Sequence, residues 1–215
     1  MNSIIDQLSS NLKAVKPLTS VNQAALTWIF GSTISGLALF AAILCFRPNW
    51  NTASHAPSLW LNLICLFVTL CGCAIAAIRG GLPGQRLNRA PQWLGSCALF
   101  FFFLSLIAEF LTDSSRRSLL AEGWDPQFGT RCGISVLFLA AFPAALLIIR
   151  LRRTAPIHPR RSGLWIGLAA GAFGAVSLTF HCPSENPVHL VLWHGLPIFA
   201  LSLLTALCSG RLLKW

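Results

Sequence analysis

The stretch Phe180-His181-Cys182-Pro183-Ser184-Glu185-Asn186-Pro187-Val188-His189-Leu190-Val191-Leu192-Trp193-His194-Gly195-Leu196-Pro197 lies between two long apolar runs. It holds three of the five histidines, three of the twelve prolines and one of the eight cysteines. A proline-rich polar break between two apolar runs reads as a tight turn joining two membrane helices. Soft ligands sit on that turn. The same pattern, an apolar run followed by a loop signal, recurs through the chain and decides the fold class.

The composition agrees. The 215 residues are 55% hydrophobic and only 10% charged, with a mean hydropathy of +0.67. A soluble domain carries about 25% charge. The apolar runs cover about 24–45, 59–78, 92–111, 133–149, 164–181 and 188–208. Each approaches the roughly 20 residues that cross a hydrocarbon core. Backbone groups in lipid must be bonded internally, so the runs are helices. The expected fold is all-α and polytopic, with six transmembrane helices in three hairpins. The first run is too long for a signal peptide, and no small-x-small cleavage site follows it.

A net charge of +10 would suggest nucleic acid in a soluble protein. Here it reports orientation instead, and no direct nucleic-acid contact is expected. With the N-terminus inside, twelve of the sixteen basic residues fall on the inner side, among them Arg150, Arg152, Arg153, Arg160 and Arg161. Only Arg47, Arg116, Arg117 and Arg131 fall outside. This positive-inside bias places both termini in the cytoplasm. Trp28, Trp50, Trp60, Trp93 and Trp124 lie near span ends, as interface anchors do.

Residues 1–22 form the one polar segment of any length and are read as a separate cytoplasmic unit ahead of the 23–215 membrane domain. Ile4, Leu8, Leu12 and Val15, with Ile5 beside the first, make an apolar stripe at helical spacing. Pro17 stops that helix. Such a helix either lies on the lipid surface or fills a groove on a soluble partner. Within the spans, Gly163, Gly167 and Gly171 recur every four residues, with Gly174 one turn on. Ser32 and Gly36 repeat the motif in the first span. These present flat faces for close helix packing.

With this topology Cys132 and Cys182 both lie at the outer membrane boundary. A pair there is open to three readings: a disulfide, a soft-metal site with imidazole help, or two unrelated small residues. His181, His189 and His194 favour the metal reading, and His55 can approach from the first outer loop. Cys71-Gly72-Cys73 is CxC inside a span and carries no thioredoxin-like expectation. Glu109 is expected to pair with an arginine such as Arg116. No phosphate loop, HExxH or nucleophile–histidine–acid order is present, so no enzyme is expected.

The chain resembles the NrsF-type anti-sigma factors, named for negative regulation of sigma F. The resemblance covers nearly the whole sequence. It is most specific at Leu178-Thr179-Phe180-His181-Cys182-Pro183 and Val191-Leu192-Trp193-His194-Gly195-Leu196-Pro197. It extends to Gly210-Arg211-Leu212-Leu213-Lys214-Trp215, to Asp6-Gln7-Leu8, Leu12 and Val15-Lys16-Pro17-Leu18, to Arg152-Arg153-Thr154-Ala155-Pro156, and to Trp124 and Cys132. His189 is not part of the family pattern. The resemblance implies a six-span protein of the bacterial inner membrane that holds an extracytoplasmic-function sigma factor and releases it under metal or oxidant stress. The chain lacks the HxxxCxxC zinc helix of the common soluble anti-sigma domain. The holding element is then Ile4, Ile5, Leu8, Leu12 and Val15, with the Arg150–Arg161 loop.

The site expectations follow. Cys132, Cys182, His181 and His194 sense the signal, and Cys132, Cys182 and His181 ligate a metal. The heavy metal binds transiently, with no resident cofactor. The expected partners are the sigma factor and the bilayer. The rival reading is a small metal or solute permease, which needs polar residues lining a mid-membrane path.

Overall fold

The computed structural model describes residues 20–43, 46–81, 89–154 and 156–213. The stripe residues Ile4, Ile5, Leu8, Leu12 and Val15 lie outside them. The described residues are helical, with no strand among them. In chain order the helices are α1 (Val21–Ile43), α2 (Trp50–Ala53), α3 (Pro57–Gly81), α4 (Ala90–Thr112), α5 (Arg116–Gly123), α6 (Pro126–Arg152), α7 (Pro159–Thr179) and α8 (Pro187–Leu212). A π-helical turn, Leu190–Gly195, interrupts α8. Five of these helices, α3, α4, α6, α7 and α8, are long and apolar enough to cross a membrane.

Proline opens most of the long helices. Pro57, Pro126, Pro159 and Pro187 occupy first positions, where the missing N–H would have no helical partner anyway. Two of the openings also carry a side-chain cap. Asp125 accepts from the backbone N–H of Gln127 at 2.9 Å and of Phe128 at 3.4 Å. Asn186 accepts from Val188 at 2.9 Å and His189 at 3.3 Å. Both caps lie at the end of the molecule that carries Cys132 and Cys182, and they fix where those helices begin.

α7 is the hub. It packs against α8, α3 and α6, and most of its surface is buried. Its glycine stripe explains how. A Cβ at Gly163 would stand 2.5 Å from the Thr205 carbonyl oxygen, and one at Gly167 2.3 Å from Ser202 Cα. No larger residue fits either position. Thr205 Oγ1 donates to the Gly163 carbonyl at 2.7 Å across the same seam. Lipid supplies no hydrophobic drive between helices, so close backbone approach and such bonds hold the pair. Gly174 turns the next face to α6, where a Cβ would meet the Val136 carbonyl at 2.3 Å.

α4 is the opposite case. It leans mainly on α3 and turns Phe100, Phe101, Leu104, Ile107 and Leu111 outward. α1 packs on α3 and α6. Here one expectation fails: Trp28 is not an interface anchor. It is 3% exposed, and its Nε1 donates to the Pro143 carbonyl of α6 at 2.9 Å. A buried indole N–H needs a partner, and that bond pins α1 to the bundle. Trp60, Trp93 and Trp124 do face outward.

Candidate thiol–imidazole site

Four side chains converge where α6 begins, α7 ends and α8 begins: Cys132, Cys182, His189 and His194. One ligand atom from each lies within 4.8 Å of all the others. All four are buried, at 5%, 2%, 1% and 1% exposure respectively. Cys132 sits on the second turn of α6, behind the Asp125 cap. Cys182 follows α7 directly, where its N–H bonds the Leu178 carbonyl at 2.8 Å. Val136, Leu139, Leu178 and Trp193 form an apolar floor beneath the two sulfurs.

The histidine pair depends on the π turn. His189 and His194 are five residues apart, which places them about 140° apart around an α-helix. Hydrogen bonding i→i+5 stacks residues at this spacing instead. The imidazole rings stand 5.7 Å apart at 65°. Two glycines make room for the widened turn. Trp193 lies on Gly129, where a Cβ would come within 2.1 Å of the indole. Phe103 covers Gly195. Trp193 Nε1 donates to the Gly123 carbonyl at 3.2 Å, and Asn186 Nδ2 donates to the Leu119 carbonyl at 2.9 Å. The short helix α5 thus clasps the head of α8.

Cys132 Sγ and Cys182 Sγ are 3.8 Å apart, and both are free thiols. Cys182 Sγ is 3.5 Å from His189 Nε2. A tetrahedral zinc with Zn–S of about 2.3 Å and Zn–N of about 2.0–2.1 Å has S···S and S···N edges of about 3.8 Å and 3.5 Å. The donor set has the chemistry of an S₂N₂ site, and the two edges at Cys182 Sγ, 3.8 Å to Cys132 Sγ and 3.5 Å to His189 Nε2, match those of such a tetrahedron. The surroundings hold the Cys182 thiol below its ordinary range. The hydrogen bond from Cys132 is the main cause, bonds from His189 and His194 add to it, and burial opposes them. A thiolate is the form that ligates metal or attacks an oxidant.

The Cys182 turn is anchored from outside its own hairpin. The Arg47 backbone N–H donates to the Phe180 carbonyl at 3.0 Å. Arg47 Nη2 reaches the Pro183 carbonyl at 3.2 Å and Glu185 Oε1 at 2.8 Å, and Nε reaches Asn49 Oδ1 at 2.9 Å. Asn49 Nδ2 also donates to the Pro183 carbonyl, at 3.1 Å. Arg47 is 3% exposed. A buried guanidinium is tolerable because each of these acceptors is supplied. By charge counting Arg47 is only one outer basic residue. Its unusual place on the outer side, directly before Pro48, was the available signal.

The four residues expected to sense the signal divide three to one. Cys132, Cys182 and His194 come together, and His181 does not join them. His181 is half-buried on the turn. His189 stands in the cluster where His181 was expected. His55 is exposed and apart from the cluster. Glu109 makes no ion pair among the described residues, and Arg116 Nη2 instead donates to the Leu111 carbonyl.

The family model for negative regulators of sigma F matches residues 8–215. The chain belongs to the NrsF family. The match spans the whole site, from α5 to the end of α8. A relative from Azospira oryzae, "Probable anti-sigma-F factor NrsF", is 25% identical over 214 residues, covering 99% of this chain and 98% of its own length. No solved structure matches the chain. Membership in NrsF makes the chain one of a family of anti-sigma factors, regulators whose partner is a sigma factor.

Proposed function

We propose that this protein is an inner-membrane anti-sigma factor that holds an extracytoplasmic-function sigma factor in the cytoplasm and releases it when a thiophilic cation or an oxidant reaches its outer thiols. The observation that carries this reading is the burial of two thiols and two imidazoles within 4.8 Å of one another. The family membership supplies the sigma factor.

In this reading α1 is the sixth span. It is 23 residues long and has no charged residue. Both termini are cytoplasmic, by the inner excess of Lys and Arg. Three hairpins then put the Cys132–Cys182–His189–His194 site on the outer face. The 1–22 segment holds the sigma factor on the inner face through the apolar stripe Ile4, Ile5, Leu8, Leu12 and Val15. Signal and hold stand at opposite ends of one body, which suits a transducer. Ligation of Cys132 on α6, Cys182 after α7 and the histidines of α8 ties three helices together. Sulfenylation or disulfide closure would pull the same elements. A hundredfold weaker hold on the sigma factor requires about 2.7 kcal/mol of coupling.

The test is sigma-dependent transcription under cadmium or zinc challenge. Wild type should respond, while Cys132→Ser, Cys182→Ser and His189→Ala should each lose most of the response. Unchanged induction in all three variants would remove the sensor. The holding element has a separate test: Leu8→Asp or Leu12→Asp places a charge on the stripe, and co-purification with the sigma factor should fall by at least tenfold.

A further inference from the structure

The cluster is sealed on most sides by apolar groups, but a small cavity of about 30 Å³ adjoins it under the Arg47–Glu185 pair. That is room for one or two waters or a bare ion. Its inner wall includes Cys182, His194 and Asn62, all buried. Its outer wall includes Ser184, Glu185 and Glu109, which reach solvent in part. The cavity thus runs from the aqueous edge to the ligands.

Two features point to what travels there. His194 Nε2 is fully buried with no hydrogen-bond partner. Burying such a nitrogen is costly unless something fills the place of its water. The second feature is charge. On a chain of net charge +10 with six acidic residues, two carboxylates line this one cavity, and each lies within reach of the other's field. Glu185 is neutralised by Arg47 at 2.8 Å. Glu109 makes no ion pair among the described residues, and its carboxylate, when ionised, adds one negative charge to the cavity beyond the Arg47–Glu185 pair.

We propose that the cavity is a cation vestibule, in which Glu109 attracts a divalent metal ion from the outer face and delivers it to His194 and Cys182. The inference rests on the metal reading of the four-ligand site. It assigns Glu109 to the rate of capture rather than to the final coordination shell. With Arg47 offsetting Glu185, an ionised Glu109 leaves the lining net negative, and a cleft whose charge is of one net sign raises association rates by about 10- to 1,000-fold.

The experiment follows cadmium chloride binding to the purified full-length protein in detergent, by the cadmium–thiolate absorbance in a stopped-flow instrument. Glu109→Gln should slow association about tenfold, with one ion per chain and the dissociation rate unchanged. Glu109→Asp should restore the rate. High salt should shrink the gap between wild type and Glu109→Gln, because screening removes the attraction. Association of Glu109→Gln at the wild-type rate, or a gap that salt leaves intact, overturns the vestibule alone. A wild-type protein that takes up no cadmium overturns the metal reading and the vestibule together.

Discussion

Two cysteine pairs invite comparison. Cys71 and Cys73 are two residues apart in α3, and Cys132 and Cys182 are fifty residues apart, at the start of α6 and just after α7. The near pair is the one that does not meet. Residues i and i+2 point about 200° apart on a helix. Cys73 is fully buried against Gly95 of α4, with its Sγ where a Gly95 Cβ would come within 2.9 Å, while Cys71 turns to another side. Among the described residues, neither belongs to a cluster of three or more metal-ligating side chains. The distant pair closes to 3.8 Å with two histidines around it. Thiol chemistry here is set by which helix ends the fold brings together.

The strongest way to break this contrast is to remove ligands from both pairs. Cys132→Ser or Cys182→Ser should weaken cadmium binding by at least a hundredfold, about 2.7 kcal/mol. The double variant Cys71→Ala/Cys73→Ala should change it by less than twofold, as isothermal titration calorimetry can show. Equal losses from both pairs would erase the distinction. A smaller effect is expected from the anchor of the turn. Arg47→Ala leaves the four ligands in place but frees the Pro183 carbonyl and Glu185, and it should weaken binding about tenfold, as loss of a supporting contact does.

The smallest effect is on pH dependence. The folded Cys182 thiol titrates below its ordinary value of 9.0, so the unfolded chain binds more protons than the folded one in the range between. Its contribution to stability is complete above the ordinary value and falls as pH drops toward the folded value. Thermal unfolding from about pH 8 to about pH 5 should show a declining midpoint, and Cys182→Ser should flatten that decline. A slope that survives the substitution would assign it to other groups.

Much of the fold was legible because lipid imposes length and apolarity directly on sequence. The runs 59–78, 92–111, 133–149, 164–181 and 188–208 sit inside α3, α4, α6, α7 and α8 or within two residues of their ends. The glycine stripe of α7 announced a close helix seam but not its partner, which the structure shows to be α8 at Gly163 and Gly167. Trp28 misled, since nearness to a span end says nothing about which way a side chain faces. The site was legible in its sulfurs, which lie at span ends on one side. It was illegible in its histidines. His181 adjoins Cys182 in sequence, yet His189 is the residue that completes the cluster, because choosing between them requires knowing that α8 departs from α geometry. Glu109 was read through the nearest arginine, whereas its neighbours in space are Glu185 and the cavity.

The π turn makes the site a matter of counting as well as of chemistry. Such a turn is an α-helix carrying one residue more than its hydrogen-bond ladder accommodates. Shortening Leu190–Leu192 by a single residue would let the ladder close regularly and would put His189 and His194 four apart, on an ordinary helical face. All four ligands would survive in the sequence, but the pair would be re-aimed relative to Cys182, and Trp193 would lose its seat on Gly129. The geometry of the four-residue site is therefore open to change by insertion or deletion at a position that supplies none of its thiols or imidazoles.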